Sequence, residues 1–279
     1  MVKGEKEDGR HLIQERLEET LAKIELKEGE RVDYLIREGI ALIQHPDVFA
    51  FSMDAVLLAD FAILPKRQTA TVLDLCSGNG AVAFLASTKT KAKIQLVEIQ
   101  ERLVDMAKRT IEGNGLEGRY QVIQADVKDY RKWGKLDSVD YILCNPPYFT
   151  AKNHQTVHNE EAQRIARHEI LLNFEQLCQA ISGLLKTRGK AAIVHRPERL
   201  TELLMTLQAH QLTPKRLQMI YPKQGQEANG VLIEVMKQGS FGGLRVQKAL
   251  TVHEEDGSYT PYMAQLLGLN KGDRATSER

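Results

Sequence analysis

Cysteine is scarce in this 279-residue chain. Cys76, Cys144 and Cys178 stand far apart, and none forms a CxxC. This excludes a disulfide framework or a zinc ribbon and leaves the thiols as small apolar groups. No apolar run approaches the ~18 residues that a membrane span needs. The richest stretch, Val56 to Leu64, is short and holds Asp60. The opening MVKGEKEDGR has neither an apolar core nor a small-residue cleavage site, so no secretory signal is predicted and a cytoplasmic location is expected. An excess of either charge is missing too: 38 Lys+Arg face 37 Asp+Glu, for a net charge of +1. A histone-like polycation is excluded, whereas a basic face within a balanced total is not. The chain has no internal repeat and no low-complexity linker.

What is present is an ordinary globular composition, 42% hydrophobic and 27% charged. Leu12, Ile13, Leu17, Leu21 and Ile24 recur at helical spacing and predict an amphipathic helix over residues 11–24, a packing or dimer element. Short strands follow at 32–36 and 40–44. A helix at 54–64 has Ser52 to cap it and Pro65 to end it. From residue 70 strands and helices alternate. Strands are predicted at 71–75, 94–98, 120–124, 139–144 and 191–195, and helices at 81–88, 101–112, 174–185 (closed by Gly189) and 198–210. That order predicts an α/β fold: a doubly wound, mostly parallel, seven-stranded Rossmann-like sheet covered on both faces. Two late strands, 217–221 and 231–237, have no helix between them and should form an antiparallel edge hairpin. The expected organisation is an N-terminal extension (1–65) packed on a core domain (66–240), then a C-terminal strand and tail (241–279) that frays from 268.

Asp74-Leu-Cys76-Ser-Gly78-Asn79-Gly80 lies where a strand ends and a helix begins. Glycines there admit a ligand close to the backbone, and the helix start offers free N–H groups. Glu98 ends the next strand, where an acidic side chain reaches ribose hydroxyls; Ile99 follows it. A dinucleotide site would carry GxGxxG, but Ala83 stands three positions after Gly80. With no pyrophosphate to cradle, Asp74 suits a cationic ligand such as the amino-acid end of S-adenosylmethionine. Asp126, after the third strand, can accept from an adenine amine. The structural alternatives are a tight turn for the glycines, a solvated strand end for Glu98 and a helix cap for Asp126.

Asn145-Pro146-Pro147-Tyr148 follows the fourth strand of the sheet. Two prolines there fix a rigid turn. An amine conjugated to a ring or carbonyl is a poor nucleophile because its lone pair is delocalised. Acceptance of its two N–H hydrogens by the Asn145 side-chain oxygen and the Pro146 carbonyl returns electron density to nitrogen. Tyr148 can stack on the flat group. Such a site works by orientation and fixed dipoles and needs no metal.

Together these motifs resemble the class I S-adenosylmethionine-dependent amino-methyltransferases over residues 70–240. Glu30-Arg31-Val-Asp-Tyr-Leu35 and Ile43-Gln-His-Pro-Asp-Val-Phe-Ala-Phe51-Ser-Met-Asp54-Ala-Val-Leu-Leu58 are similar to the N-terminal signature of the bacterial tRNA1(Val) adenine-N6 methyltransferases in their Gram-positive form. Tyr221-Pro-Lys223 and Glu227-Ala-Asn229 are similar to their C-terminal region. Some relatives carry Thr-Asp-Gly where this chain has Ser52-Met53-Asp54-Ala55, and the acid Asp54 carries over to the cofactor side. The resemblance implies S-adenosylmethionine as cofactor. It also implies methylation of N6 of the adenosine immediately 3′ of the anticodon in valine tRNA.

Residues 150–168 hold Lys152, His154, His158, Arg164, Arg167 and His168 beside that turn. They suit either RNA phosphates near an extruded base or a solvated helix of mixed charge; Lys152, Arg164 and Arg167 are the candidates for RNA contact. His154 and His158 lack a third metal ligand at suitable spacing. Trp133 fits base stacking or a seal on the sheet edge. Rival readings are an N-methyltransferase for a release-factor glutamine or for an rRNA or DNA amine, a non-catalytic RNA-binding protein, and a nicotinamide oxidoreductase. The glutamine enzymes bring a larger N-terminal helical domain than the segment before Val32 provides. In an oxidoreductase, Pro146-Pro147 would have no task.

Overall fold

The computed structural model describes residues 18–46, 52–147 and 172–269. An antiparallel hairpin, β1 (Arg31–Leu35) and β2 (Ile40–Gln44), precedes helix α1 (Met53–Phe61). The central sheet is built from β3 (Thr71–Leu75), β4 (Lys93–Glu98), β5 (Tyr120–Gln124), β6 (Val139–Cys144), β7 (Leu185–His195), β8 (Leu212–Lys223) and β9 (Gly230–Lys237). Between them run α2 (Ala81–Leu85), α3 (Glu101–Gly113), α4 (Tyr130–Trp133), α5 (Phe174–Leu184) and α6 (Leu200–Ala209). The strand order is β5-β4-β3-β6-β7-β9-β8, with β9 antiparallel to both neighbours. The chain winds outward from β3 to β5 and then returns to the other side of β3 as β6. Between β3 and β6 lies the switch point at which open α/β sheets bind ligands.

The hydrophobic core has two main layers. Side chains of α1 and α2 pack on one face of the sheet with Val72, Ile94 and Tyr141. Those of α5 and α6 pack on the other with Leu75, Ile142 and Ile193. Glu234 of β9 is 1% exposed and compensated from three sides. It accepts from Tyr141 Oη at 2.7 Å, Arg216 at 3.1 Å and Lys190 at 3.2 Å. Tyr141 Oη also accepts from the Ile63 N–H, and Arg216 donates to the Phe61 carbonyl at 2.7 Å while lying over the Phe61 ring. This network pins the exit of α1 to the sheet.

Several boundaries differ from the sequence expectation. α1 ends at Phe61, ahead of Pro65, because Lys89 and Arg216 take its last carbonyls. α2 is shorter than 81–88 and passes into a 3₁₀ turn at Ser87–Lys89, where Ser87, Thr88 and Thr90 are poor helix formers. α5 runs straight into β7 at Leu185, so Gly189 closes no helix. It sits in an irregular stretch where the pairing jumps from Val139–Leu185 to Tyr141–Lys190. A Cβ there would stand 2.8 Å from the Lys186 carbonyl oxygen. The helix predicted at 198–210 starts as a 3₁₀ turn, Pro197–Arg199, ahead of α6. β8 begins five residues before the predicted 217; Pro214, a strand-weakening residue, is absorbed at a register shift. The tail adds two strands, β10 (Arg245–Val246) and β11 (Leu250–His253), both parallel to β8. They make a nine-stranded sheet, and helix α7 (Pro261–Leu266) follows, capped by Thr260. The predicted helix at 11–24 falls largely outside the described residues. Among the described residues no helix is long and apolar enough to cross a membrane.

The N-terminal hairpin is held to α3 by side chains that imitate a strand. Asn114 accepts from the Ala41 N–H and donates to the Ala41 carbonyl, each at 2.9 Å. Thr110 Oγ1 accepts from the Ile43 N–H at 3.2 Å. Arg109 of α3 reaches Glu30 at 2.7 Å and Asp105 at 2.7 Å. Asn114→Ala strands both polar groups of Ala41, and each unsatisfied buried group costs about 1–3 kcal/mol. A lower urea midpoint with an unchanged slope is the expected result; an unchanged midpoint would show that the hairpin is not held there.

Candidate active site

The site begins with a carboxyl group sealed under a loop. Asp74 is the fourth residue of β3 and is 0% exposed. Its Oδ2 accepts from the Ala83 N–H at 3.1 Å. Among the described residues neither Asp74 Oδ1 nor the buried Ser77 Oγ has a hydrogen-bond partner. Burial pushes the Asp74 carboxyl up to about 8; the Ala83 N–H opposes this and nearby Glu98 adds to it. The loop above is left-handed at three places: Cys76 (φ +56°), Gly78 (φ +58°) and Gly80 (φ +91°). At Gly80 a Cβ would stand 2.5 Å from Leu96 Cδ2 and 2.6 Å from Phe84 Cε2. At Gly78 nothing lies within 4 Å, so the backbone there is open to a ligand.

Glu98, at the end of β4, braces this loop. Its carboxylate accepts from the N–H groups of Gly78, Ile99 and Gln100, each at 2.9 Å. A carboxylate has about four lone-pair sites, so one remains for a hydroxyl. Ile99 beside it is 40% exposed, an apolar surface next to the loop. The Asn79 amide points the other way and donates to the Ile43 carbonyl at 2.9 Å, tying the loop to β2. Asp126 caps the 3₁₀ turn after β5: it accepts from the Lys128 N–H at 2.9 Å and pairs with the Lys128 ammonium at 3.4 Å. Trp133 donates to the Asp126 carbonyl at 2.8 Å and packs on the core, so it seals the sheet edge.

Leu75 of β3 lies opposite Cys144 of β6. The glycine loop and the turn at Asn145, Pro146 and Pro147 therefore leave the sheet side by side. Pro146 is buried, and Asn145 and Pro147 are half-buried. Asp54 stands in the first turn of α1, which packs on α2, the helix that follows the glycine loop. Tyr148, Lys152, Arg164 and Arg167 lie outside the described residues. Sequence reasoning missed Ser77 and also His195, which ends β7 next to β6. His195 is 3% exposed, and its Nδ1 accepts from the Arg196 N–H at 2.8 Å. Burial lowers it to about 4, so it is neutral near pH 7. Its position at a strand end was the available signal.

A family model described as the methyltransferase small domain matches residues 39–172. A tRNA1(Val) (adenine(37)-N6)-methyltransferase from Shewanella sediminis is 27% identical over 223 residues, spanning 77% of this chain and 89% of its own length. The protein of the same name from Shewanella loihica is 35% identical over 146 residues, spanning 51% of this chain and 58% of its own. The chain is similar to these methyltransferases and has the class I S-adenosylmethionine-dependent methyltransferase fold. A predicted O-methyltransferase from Agrobacterium tumefaciens shares the fold, with a TM-score of 0.60 at 24% identity over 77% of this chain and 96% of its own.

The methyltransferase's residues fit that cofactor. The unpartnered Asp74 Oδ1 and Ser77 Oγ, the open backbone at Gly78, the free acceptor site of Glu98 and the exposed Ile99 offer polar and apolar contacts along one sheet edge. S-adenosylmethionine, when bound, supplies a methyl group activated on a sulfonium.

Gly80→Ala is expected to lower both stability and cofactor affinity, because the Cβ meets Leu96 and Phe84 in a left-handed backbone. Wild-type affinity in calorimetry would overturn that. Asp74 gives a pH signature. Its folded value of about 8 exceeds the unfolded value of 3.8, so the proton favours the folded state. That contribution is full below about pH 4 and is lost as pH rises toward 8. Asp74→Asn should flatten this fall. A cation beside Asp74 favours its charged form, so cofactor binding at pH 7 should release a proton, read from binding heats in buffers of different ionisation enthalpy. The substitution should abolish that release.

Proposed function

We propose that this methyltransferase transfers a methyl group from S-adenosylmethionine to N6 of the adenosine immediately 3′ of the anticodon in valine tRNA. The observation that carries the reading is the register Leu75–Cys144, which sets the Asn145-Pro146-Pro147 turn beside the cofactor loop. The names of the Shewanella relatives support the substrate.

In this reading the Asn145 side-chain oxygen and the Pro146 carbonyl accept the two N–H hydrogens of the adenine amine. They hold its lone pair toward the methyl donor. Pro147 keeps the turn rigid, and Tyr148 stacks on the base. Asp74, Cys76, Gly78, Gly80, Glu98, Ile99 and Asp126 form the cofactor side, with Asn79 securing the loop and Asp54 standing behind it. Lys152, Arg164 and Arg167 contact RNA phosphates. An anticodon loop is already partly unpaired, which lowers the cost of extruding the base. A tRNA substrate places the enzyme in the cytoplasm.

The test is methyl transfer from labelled cofactor to unmodified valine tRNA, to the same tRNA with the loop adenosine changed to guanosine, and to a release factor. N6-methyladenosine should appear in the unaltered tRNA alone. Asn145→Ala should lower the rate about 10²–10³-fold, the loss typical of removing one oriented dipole. Label in the release factor instead would overturn the substrate and leave the fold and cofactor in place.

A further inference from the structure

The three cysteines, dispersed in sequence, converge in one apolar layer. In a strand that continued, Cys76 would face away from the side that carries Leu75. Its left-handed backbone ends β3 instead and folds Cys76 back onto the layer that holds Leu75, Cys144 and Cys178. The register sets Leu75 opposite Cys144, so Cys76 arrives beside Cys144 in that layer. A left-handed backbone is uncommon for a residue with a Cβ, and positions 78 and 80 of the same loop use glycine for it. Cys144 and Cys178 are buried, whereas Cys76 is half-buried. One thiol of the adjacent pair is thus partly accessible to a small oxidant, and the second stands behind it.

We propose that Cys76 and Cys144 are a modification site: a reversible disulfide, formed by a peroxide, that joins the ends of β3 and β6 and disables cofactor binding. Cys76 gives two electrons to hydrogen peroxide, becoming a sulfenic acid and releasing water. The Cys144 sulfur then attacks the Cys76 sulfur; the S–S bond forms, the S–O bond breaks, and the Cys144 proton leaves with the hydroxide as a second water. Two thiols and one peroxide give one disulfide and two waters. The bond draws the two sulfurs to about 2.05 Å. That pull falls on the glycine loop and on the residue before Asn145, where a displacement of about 1 Å is costly to catalysis. The consequence rests on the methyltransferase reading, whereas the bond itself does not.

The test treats the full reduced chain with hydrogen peroxide. Intact mass should fall by the two hydrogens of one disulfide, peptide mapping should join Cys76 to Cys144, and S-adenosylmethionine affinity by calorimetry should drop about tenfold or more. Dithiothreitol should restore the affinity. Cys178→Ala should behave like the parent chain. Cys144→Ala should keep its affinity under peroxide; should that variant not fold, Cys178→Ala and the mapped bridge decide. A Cys144–Cys178 bridge, over-oxidation of Cys76 alone, or a Cys76–Cys144 bridge with undiminished affinity overturns the proposal. A reduced chain that does not bind S-adenosylmethionine would overturn the methyltransferase reading instead.

Discussion

Leu75 opposite Cys144 is one rung of the parallel ladder between β3 and β6, and the site follows from it. The chain leaves β3 into a loop of alternating left-handed residues and leaves β6 into a proline-stiffened turn. Both depart from the same edge, because parallel strands end together. The ladder is buried on both faces, so a slip of one residue would exchange side chains between two close-packed layers. Packing on the sheet faces thereby sets the glycine loop and the proline turn side by side.

Two acids at this edge serve in different ways. Glu98 sits at a strand end where three backbone N–H groups reach its carboxylate, and it holds the loop in shape. Asp74 is sealed with one backbone partner, so its proton is retained to about pH 8. Environment separates the two: one carboxyl is solvated by amides, and the other is buried with a single backbone donor. The N-terminal hairpin enters the same arrangement through Asn79, which couples the loop to β2, while Asn114 couples β2 to α3. A segment outside the sheet therefore helps hold the loop.

Much of this was legible in the chain itself. β3, β4, β5 and β6 lie within a residue of their predicted bounds, because buried parallel strands are short apolar runs closed by turn residues. β7 and β8 were placed too short: Gly189 read as the end of a helix, and the sheet absorbs it and Pro214 as irregularities. The glycine loop and the Asn145-Pro146-Pro147 turn announced themselves by composition. The bracing role of Glu98 and the inward commitment of Asn79 did not, and the cap at Asp126 stood only as the alternative to an adenine contact. Each depends on which backbone amide or carbonyl comes within 3 Å, and spacing in sequence does not encode that.

The sequence alone determined the class of fold, the strand ends that carry acids and the pairing of a glycine loop with a proline turn, because periodicity and turn chemistry are local. Tertiary structure alone decided which groups were left without partners and which thiols share a layer. Cys76, Cys144 and Cys178 read as isolated residues. A single left-handed backbone angle at Cys76 and the β3–β6 register bring them into one layer. Contacts of that kind arise from the closure of distant segments upon one another, which hydrophobic pattern constrains and does not specify.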